Sequence, residues 1–226
     1  MREILFAVGN FYHIYNHGID QRKIFQDTAD FRRFYASMFL FNNSLYSHKG
    51  GRSPLSACKD LYLRLLDENI NRLPLVNIVS YCLLPNHFHI LLEQAEETGI
   101  NKFMHRLGMG YAHYYNIRYE RTGRLFEGPF QAKIVNNDAQ FMHLPRYIHL
   151  NALDMTNLKW REGMISDWKE ADSFLDNYEW SSHLVYKGMK EPLPVIERSQ
   201  IKNKFPSVDN YVSFLRKWSG RYTPIK

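Results

Sequence analysis

"YCLLPNHFHILLEQ", residues 81–94, is the stretch that decides how the chain is read. Apolar, β-rich residues lie on both sides of Pro85-Asn86, a pair that interrupts a strand and marks a turn. With "PLVNIVS", residues 74–80, it therefore reads as two adjacent strands broken at that pair. Side chains alternate faces along a strand, so His87 and His89 share one face while Phe88 points into the core. A rise of about 3.3 Å per residue sets the two histidines about 7 Å apart at the backbone, within reach of one divalent cation. Ordinary strand histidines can alternate in the same way, so the pair needs its context.

Upstream, "ILFAVGNFYHIY", residues 4–15, alternates loosely and runs into the turn signal "NHGID", which predicts a first strand. "DTADFRRFYASMFLF" predicts a helix starting at Asp27 or Thr28, with Phe31, Phe34, Tyr35 and Phe39 near helical spacing. "SHKGGRSPLSA", residues 47–57, reads as a loop. Downstream, a helix is predicted over residues 98–120, against the preference of its internal Gly108 and Gly110. "RLFEGPFQAKIV" predicts another strand, and "NNDAQFMHLPRYIHLNAL" a helix capped near Asn137 or Asp138 and disturbed by Pro145.

Strands joined by so short a turn are antiparallel, which predicts an α+β fold of roughly the ferredoxin type, an antiparallel sheet with helices packed on one face. The pattern of "EWSSHLVYKG" closes a main domain over residues 1–188. Residues 189–226 then add a Pro-containing linker, "EPLPVIERSQ", and a C-terminal helical extension read from the amphipathic "SVDNYVSFLRKWSG".

With 226 residues, 45% of them hydrophobic, the chain can bury one substantial core. It has neither a long uninterrupted apolar run nor a signal-like amino terminus, so a cytoplasmic protein with no membrane partner is expected. Two cysteines, Cys58 and Cys82, provide no disulfide framework and no cysteine zinc site; Cys82 reads as a small core residue. A net charge of +6 and a pI near 9.2 favour a polyanionic partner. Fifteen Tyr and fifteen Phe offer stacking surface for single-stranded nucleic acid, although many of these rings must be core. Lys102, Arg106, Arg118, Arg121, Arg124 and Lys133, interleaved with tyrosines, could track such a strand or could be solvated faces of a helix and strand. In "RYIHLN", Tyr147 and Asn151 lie one helical turn apart on one face, with His143 a turn earlier. A tyrosine hydroxyl can act as a nucleophile and an Asn oxygen as a hard-metal ligand, yet an ordinary amphipathic helix would use the same residues to pack and to cap.

His87-Phe88-His89 resembles the histidine-hydrophobic-histidine signature of the HUH single-strand DNA nucleases and transposases. "NHGIDQRKIFQDTADFRRF", "YCLLPNHFHILLEQ", "YYNIRYERTGRLFEGPFQAKIV", "RYIHLNAL" and "YEWSSH" resemble, in that order, the REP-associated tyrosine transposases over residues from about 10 to 186. The resemblance implies the HUH nuclease fold, with His87, His89 and Asn151 as metal ligands and Tyr147 as the nucleophile. It implies Mg²⁺, with Mn²⁺ as a substitute, and a single-stranded DNA hairpin as partner, cleaved through a 5′-phosphotyrosine intermediate. Such a protein works at the nucleoid of a bacterium, as a monomer or a homodimer. Pro129 stands where relatives commonly carry Arg or Lys, Arg124 where they commonly carry His or a similar residue, and His149 and Ala152 where Tyr and Pro are frequent. Two other readings differ in chemistry: a non-cleaving binder of structured single-stranded DNA, and a metal-dependent nuclease in which water attacks.

Overall fold

Pro85 and Asn86 do turn the chain, joining β2, Val76–Leu84, to its antiparallel neighbour β3, His87–Gln94, in a computed structural model that describes residues 4–46, 61–67, 71–163 and 165–218. The turn is tied down from outside, because the Pro85 carbonyl accepts from the backbone N–H of Ile24 and Phe25, and the Asn86 carbonyl from that of Gly18. β1, Phe11–His17, pairs with the other side of β3, and β4, Gln131–Ile134, pairs with β1. The result is a four-stranded antiparallel sheet in the order β2-β3-β1-β4. The first strand starts later than its sequence suggests. Gly9, at φ 79°, turns the chain before Phe11, and residues 4–10 are not extended into the sheet.

One face of the sheet carries Tyr12, Ile14, Phe88 and Ile90, and is covered by α1, Thr28–Phe41, and α3, Gly99–Arg118. Phe34 of α1 packs on Phe88 at 5.1 Å and on Tyr111 of α3 at 5.0 Å between ring centroids. Asp27 caps α1 by accepting from the N–H groups of Ala29 and Asp30, as its position before the apolar run predicts. Between them α1 contacts the short α2, Leu61–Asp67, which the sequence did not suggest.

The expectation of helices on one face is corrected. α4, Asp138–Leu150, and the turn Asn151–Met155 lie on the opposite, histidine-bearing face, where His13, Cys82, His89 and Leu91 are all buried. A strand whose two faces are both apolar enough to bury needs cover on each. α4 runs through Pro145 without a break. The expected loop at 47–57 and Cys58 lie outside the described residues.

The outer edge of β2 is sealed by later chain. Leu83 N–H donates to the Trp180 carbonyl, Ser182 N–H to the Tyr81 carbonyl, and Glu197 N–H to the Ile78 carbonyl. After α5, Trp168–Asn177, and α6, His183–Tyr186, the chain forms α7, Arg198–Lys204, and the anticipated amphipathic α8, Val208–Arg216. Leu193, Val195, Tyr211 and Leu215 are buried, so this extension shares the core instead of trailing from it. Among the described residues, no helix is long and apolar enough to cross a membrane.

Candidate active site

The register of β1 against β3 sets His17 opposite His87 and Tyr15 opposite His89, with His13 two residues further along on the same face. The imidazole centroids of His87 and His89 are 5.1 Å apart, as are those of His13 and His89. Each of the two predicted ligands is held by its Nδ1. His87 Nδ1 lies 2.7 Å from Asn86 Oδ1, and His89 Nδ1 lies 3.0 Å from His13 Nε2. The Nε2 atoms of both have no hydrogen-bond partner among the described residues. Burial holds His87 down to about 4, and it holds His89 well below the ordinary imidazole range, with His13 and His87 adding to the effect. Both are therefore neutral near pH 7, the form in which imidazole binds a metal. His17 instead meets Glu127 at 2.6 Å.

α4 delivers the tyrosine to this face. Asn137 caps the helix through Gln140 N–H, and three turns on, Tyr147 sits with its ring 5.8 Å from that of His89 and 6.2 Å from that of His13. His87, His89 and Tyr147 are thus brought together. His143 is not, because its ring pairs with Arg146 and lies 6.0 Å from Phe214.

Asn151 ends the helix with its Nδ2 donating 2.6 Å to the Tyr147 carbonyl, while its Oδ1 accepts from Arg161 at 2.9 Å. Arg161 also grips Asp154, 2.5 Å from Oδ2 and 3.0 Å from Oδ1, and its guanidinium lies 6.0 Å from the Tyr147 ring centre. Burial alone would lower this guanidinium, but Asp154 and Tyr147 outweigh it and raise it further. Trp160 closes the other side of the tyrosine at 5.7 Å, leaving Tyr147 5% exposed.

These neighbours were not singled out from sequence. His13 had a readable signal, the alternation His13-Ile14-Tyr15-Asn16-His17 that mirrors the histidine pair of β3. Arg161 had none, since it arrives on a single short 3₁₀ turn, Trp160–Glu162, with no periodic pattern around it. Among the described residues no group of three His, Cys, Asp or Glu side chains could hold a metal. A cation on the two histidines would draw its remaining ligands from an amide oxygen such as that of Asn151, from substrate and from water.

The basic residues fare unevenly. Lys102 pairs with Glu96 at 2.8 Å, Arg106 donates to the Asn43 carbonyl at 2.8 Å, and Arg118 bridges Asp27 and Asp30 at 2.6 and 2.7 Å. Arg121 reaches Asn116 and the Arg124 carbonyl at longer range, 3.3 and 3.4 Å, and Arg124 itself is exposed. Lys133, on β4, is the cross-strand neighbour of His13.

Residues 57–151 match the family model described as "Transposase IS200 like". A comparison with curated proteins finds no match. Among solved structures, the chain is similar to "Structure of the REP associates tyrosine transposase bound to a REP hairpin" at 11% identity and a TM-score of 0.47, over 85% of this chain and 89% of that one.

Proposed function

We propose that this chain, which carries the IS200-like transposase pattern through β2, β3, α3, β4 and α4, is a divalent-metal-dependent single-strand DNA endonuclease and strand transferase that works through a 5′-phosphotyrosine intermediate. The observation that carries this reading is the position of Tyr147, its ring 5.8 Å from that of His89, with His87 a further 5.1 Å along the strand face.

In this reading Tyr147 Oη forms a bond to the scissile phosphorus as the bond from phosphorus to the 3′-oxygen breaks. The phenolic proton is made up on the 3′-hydroxyl, so one phosphodiester replaces another and the step is reversible without an energy source. His87, His89 and Asn151 would hold Mg²⁺, or Mn²⁺ in its place, and the ion would supply charge neutralisation at the phosphate. Arg161 adds a fixed positive charge beside both Tyr147 and Asn151, where charge builds in the transition state. Asn151 Oδ1 accepts from Arg161, and its use as a metal ligand would require a lone pair beyond the one that contact takes.

The substrate is a single strand beside a small hairpin, guided by the basic stretch from Lys102 to Lys133. With Lys102, Arg106 and Arg118 committed to internal partners, phosphate contacts fall first to the exposed Arg124 and to Arg121, whose own contacts are longer. Residues 1–188 carry the chemistry and residues 189–226 support it.

Covalent trapping tests the reading. The protein is incubated with Mn²⁺ and end-labelled hairpins taken from the DNA around its own gene, then resolved on denaturing gels. A labelled adduct is expected for the wild type and neither for Tyr147→Phe nor for His87→Ala. Cleavage that survives Tyr147→Phe would establish water as the nucleophile, and tight hairpin binding without any cleavage would make the protein a binder.

A further inference from the structure

Two tyrosines, not one, flank the paired imidazoles of His13 and His89. Tyr15 lies midway between His13 and His17 on β1, and the register against β3 sets it opposite His89. Its ring is 5.4 Å from that of His13 and 5.9 Å from that of His89, centroid to centroid. Tyr147 abuts the same two imidazoles at 6.2 and 5.8 Å. One phenol is thus carried by the sheet and the other by α4. They are close enough to sense each other, since burial first and then Tyr147 raise the Tyr15 phenol above its ordinary value.

The surroundings of the two hydroxyls differ. Tyr147 is buried, with Arg161 and Asn151 gathered beside it, whereas Tyr15 is half-buried and its hydroxyl has no hydrogen-bond partner among the described residues. His89 and Asn151 are buried too, so a strand that reaches them passes over the open members of the site: Tyr15, His17, His87 and Arg161. Of these, His17 meets Glu127 and Arg161 is braced by Asp154. Asn86 Oδ1 can only accept, so the proton of neutral His87 lies on Nδ1 and its Nε2 presents a lone pair. Phosphate oxygens also only accept. Among the described residues along this approach, the Tyr15 O–H is the hydroxyl donor left free for them.

We infer that Tyr15 is a second working phenol of the site, a phosphate-binding residue and not a nucleophile: its hydroxyl donates to a non-bridging oxygen of the phosphate that Tyr147 attacks, and holds that phosphate over the buried phenol. The attacking role stays with Tyr147 because the cation of Arg161 stands beside that ring. The attack belongs to the strand-transfer reading on which this inference rests. The hydrogen bond from Tyr15 to a phosphate of the bound strand does not depend on cleavage.

The test uses the full chain, a hairpin from the DNA around its own gene that the wild type binds, and Tyr15→Phe, which keeps the ring and loses only the hydroxyl. Without metal, NMR of ¹³C-labelled tyrosine at Cζ reads the hydrogen bond directly. The Tyr15 signal, identified by its absence from Tyr15→Phe, should move when the hairpin binds. With Mn²⁺ and saturating hairpin, Tyr15→Phe should form the adduct about 10- to 100-fold more slowly, with hairpin affinity within about twofold of the wild type. Sulfur in place of a non-bridging oxygen at the scissile phosphate is a poor acceptor. One of its two stereoisomers should therefore slow the wild type and add no further loss in Tyr15→Phe. A Tyr15 signal that stays still, an unchanged rate, equal sulfur penalties in both proteins, or an adduct carried by Tyr15 would each overturn the assignment. A shifted Tyr15 signal in a protein that forms no adduct would leave the phosphate contact standing and remove only the strand-transfer chemistry.

Discussion

The histidines of the site are kept neutral by burial, and this links the stability of the whole protein to pH. His13 is lowered to about 3 and His87 to about 4 from an ordinary 6.5, while His89 and His149 lie well below it. Once the pH falls below 6.5 the unfolded chain takes up protons that the folded one refuses. Stability is therefore complete above 6.5 and lost as the pH drops toward 4, at about 1.4 kcal/mol per pH unit for each such histidine. Denaturant titrations at pH 7.5 and pH 5.5 should differ by several kcal/mol on this basis; equal values would mean that these imidazoles are protonated in the fold. At Arg161, replacement by Ala removes the cation beside Tyr147, and the rate of adduct formation should drop about a hundredfold. An unchanged rate would reduce Arg161 to a brace for Asp154 and Asn151. His87, Phe88 and His89 were legible because strand alternation is a local property of three residues. His13 reaches His89 only through a pairing 76 residues apart in sequence, and no local pattern records that register.

Among the elements, α3 makes the sharpest contrast between adjacent turns. Both of its interior glycines lower helix preference, but only one is required. A Cβ on Gly108 would meet nothing within 4 Å, whereas a Cβ on Gly110 would lie 2.8 Å from the Phe41 ring, where α1 and α3 press together. Gly108→Ala should raise stability by about 0.5–1 kcal/mol and Gly110→Ala lower it by about 1–3 kcal/mol, read from equilibrium unfolding. The opposite order would mean that the two helices are spaced more loosely than described. Helix starts were the most legible features of the sequence, since Asp27 and Asn137 act through hydrogen bonds to residues two or three positions away. The start of β1 was not, because one glycine, Gly9, overrides an apolar run that otherwise reads as strand. Nor was the second helical layer, because the burial of Cys82 and Leu91 on the histidine face is decided by what packs there.

Over the whole molecule, a buried chain of polar groups ties the extension to the tyrosine helix. Tyr211 of α8 lies 2.8 Å from His149 Nδ1 and 2.7 Å from His183 Nδ1, and His149 Nε2 continues to Ser182 Oγ at 2.8 Å. Tyr211→Phe strips one hydroxyl from two buried imidazoles, so a loss of about 2–4 kcal/mol is expected in denaturant titration. A loss below 1 kcal/mol would show that the imidazoles find other partners. The charge of +6 carries a further expectation, that hairpin affinity falls steeply with salt in proportion to the phosphates contacted. A flat salt response would remove the basic stretch as a guide. The sealing of β2 by Ser181 and Ile196 also bears on how the protein comes into being. The strand leaves the ribosome on the order of a hundred residues before the segments that close it, which at ordinary rates of synthesis is about 5–20 s. Throughout that interval a nascent chain presents a long, apolar and unpaired strand, open to pairing with its neighbours on the same messenger. High-yield production should therefore depend on sparse initiation, which keeps nascent chains apart, or on chaperones that shield that edge until its own carboxy-terminal segment arrives.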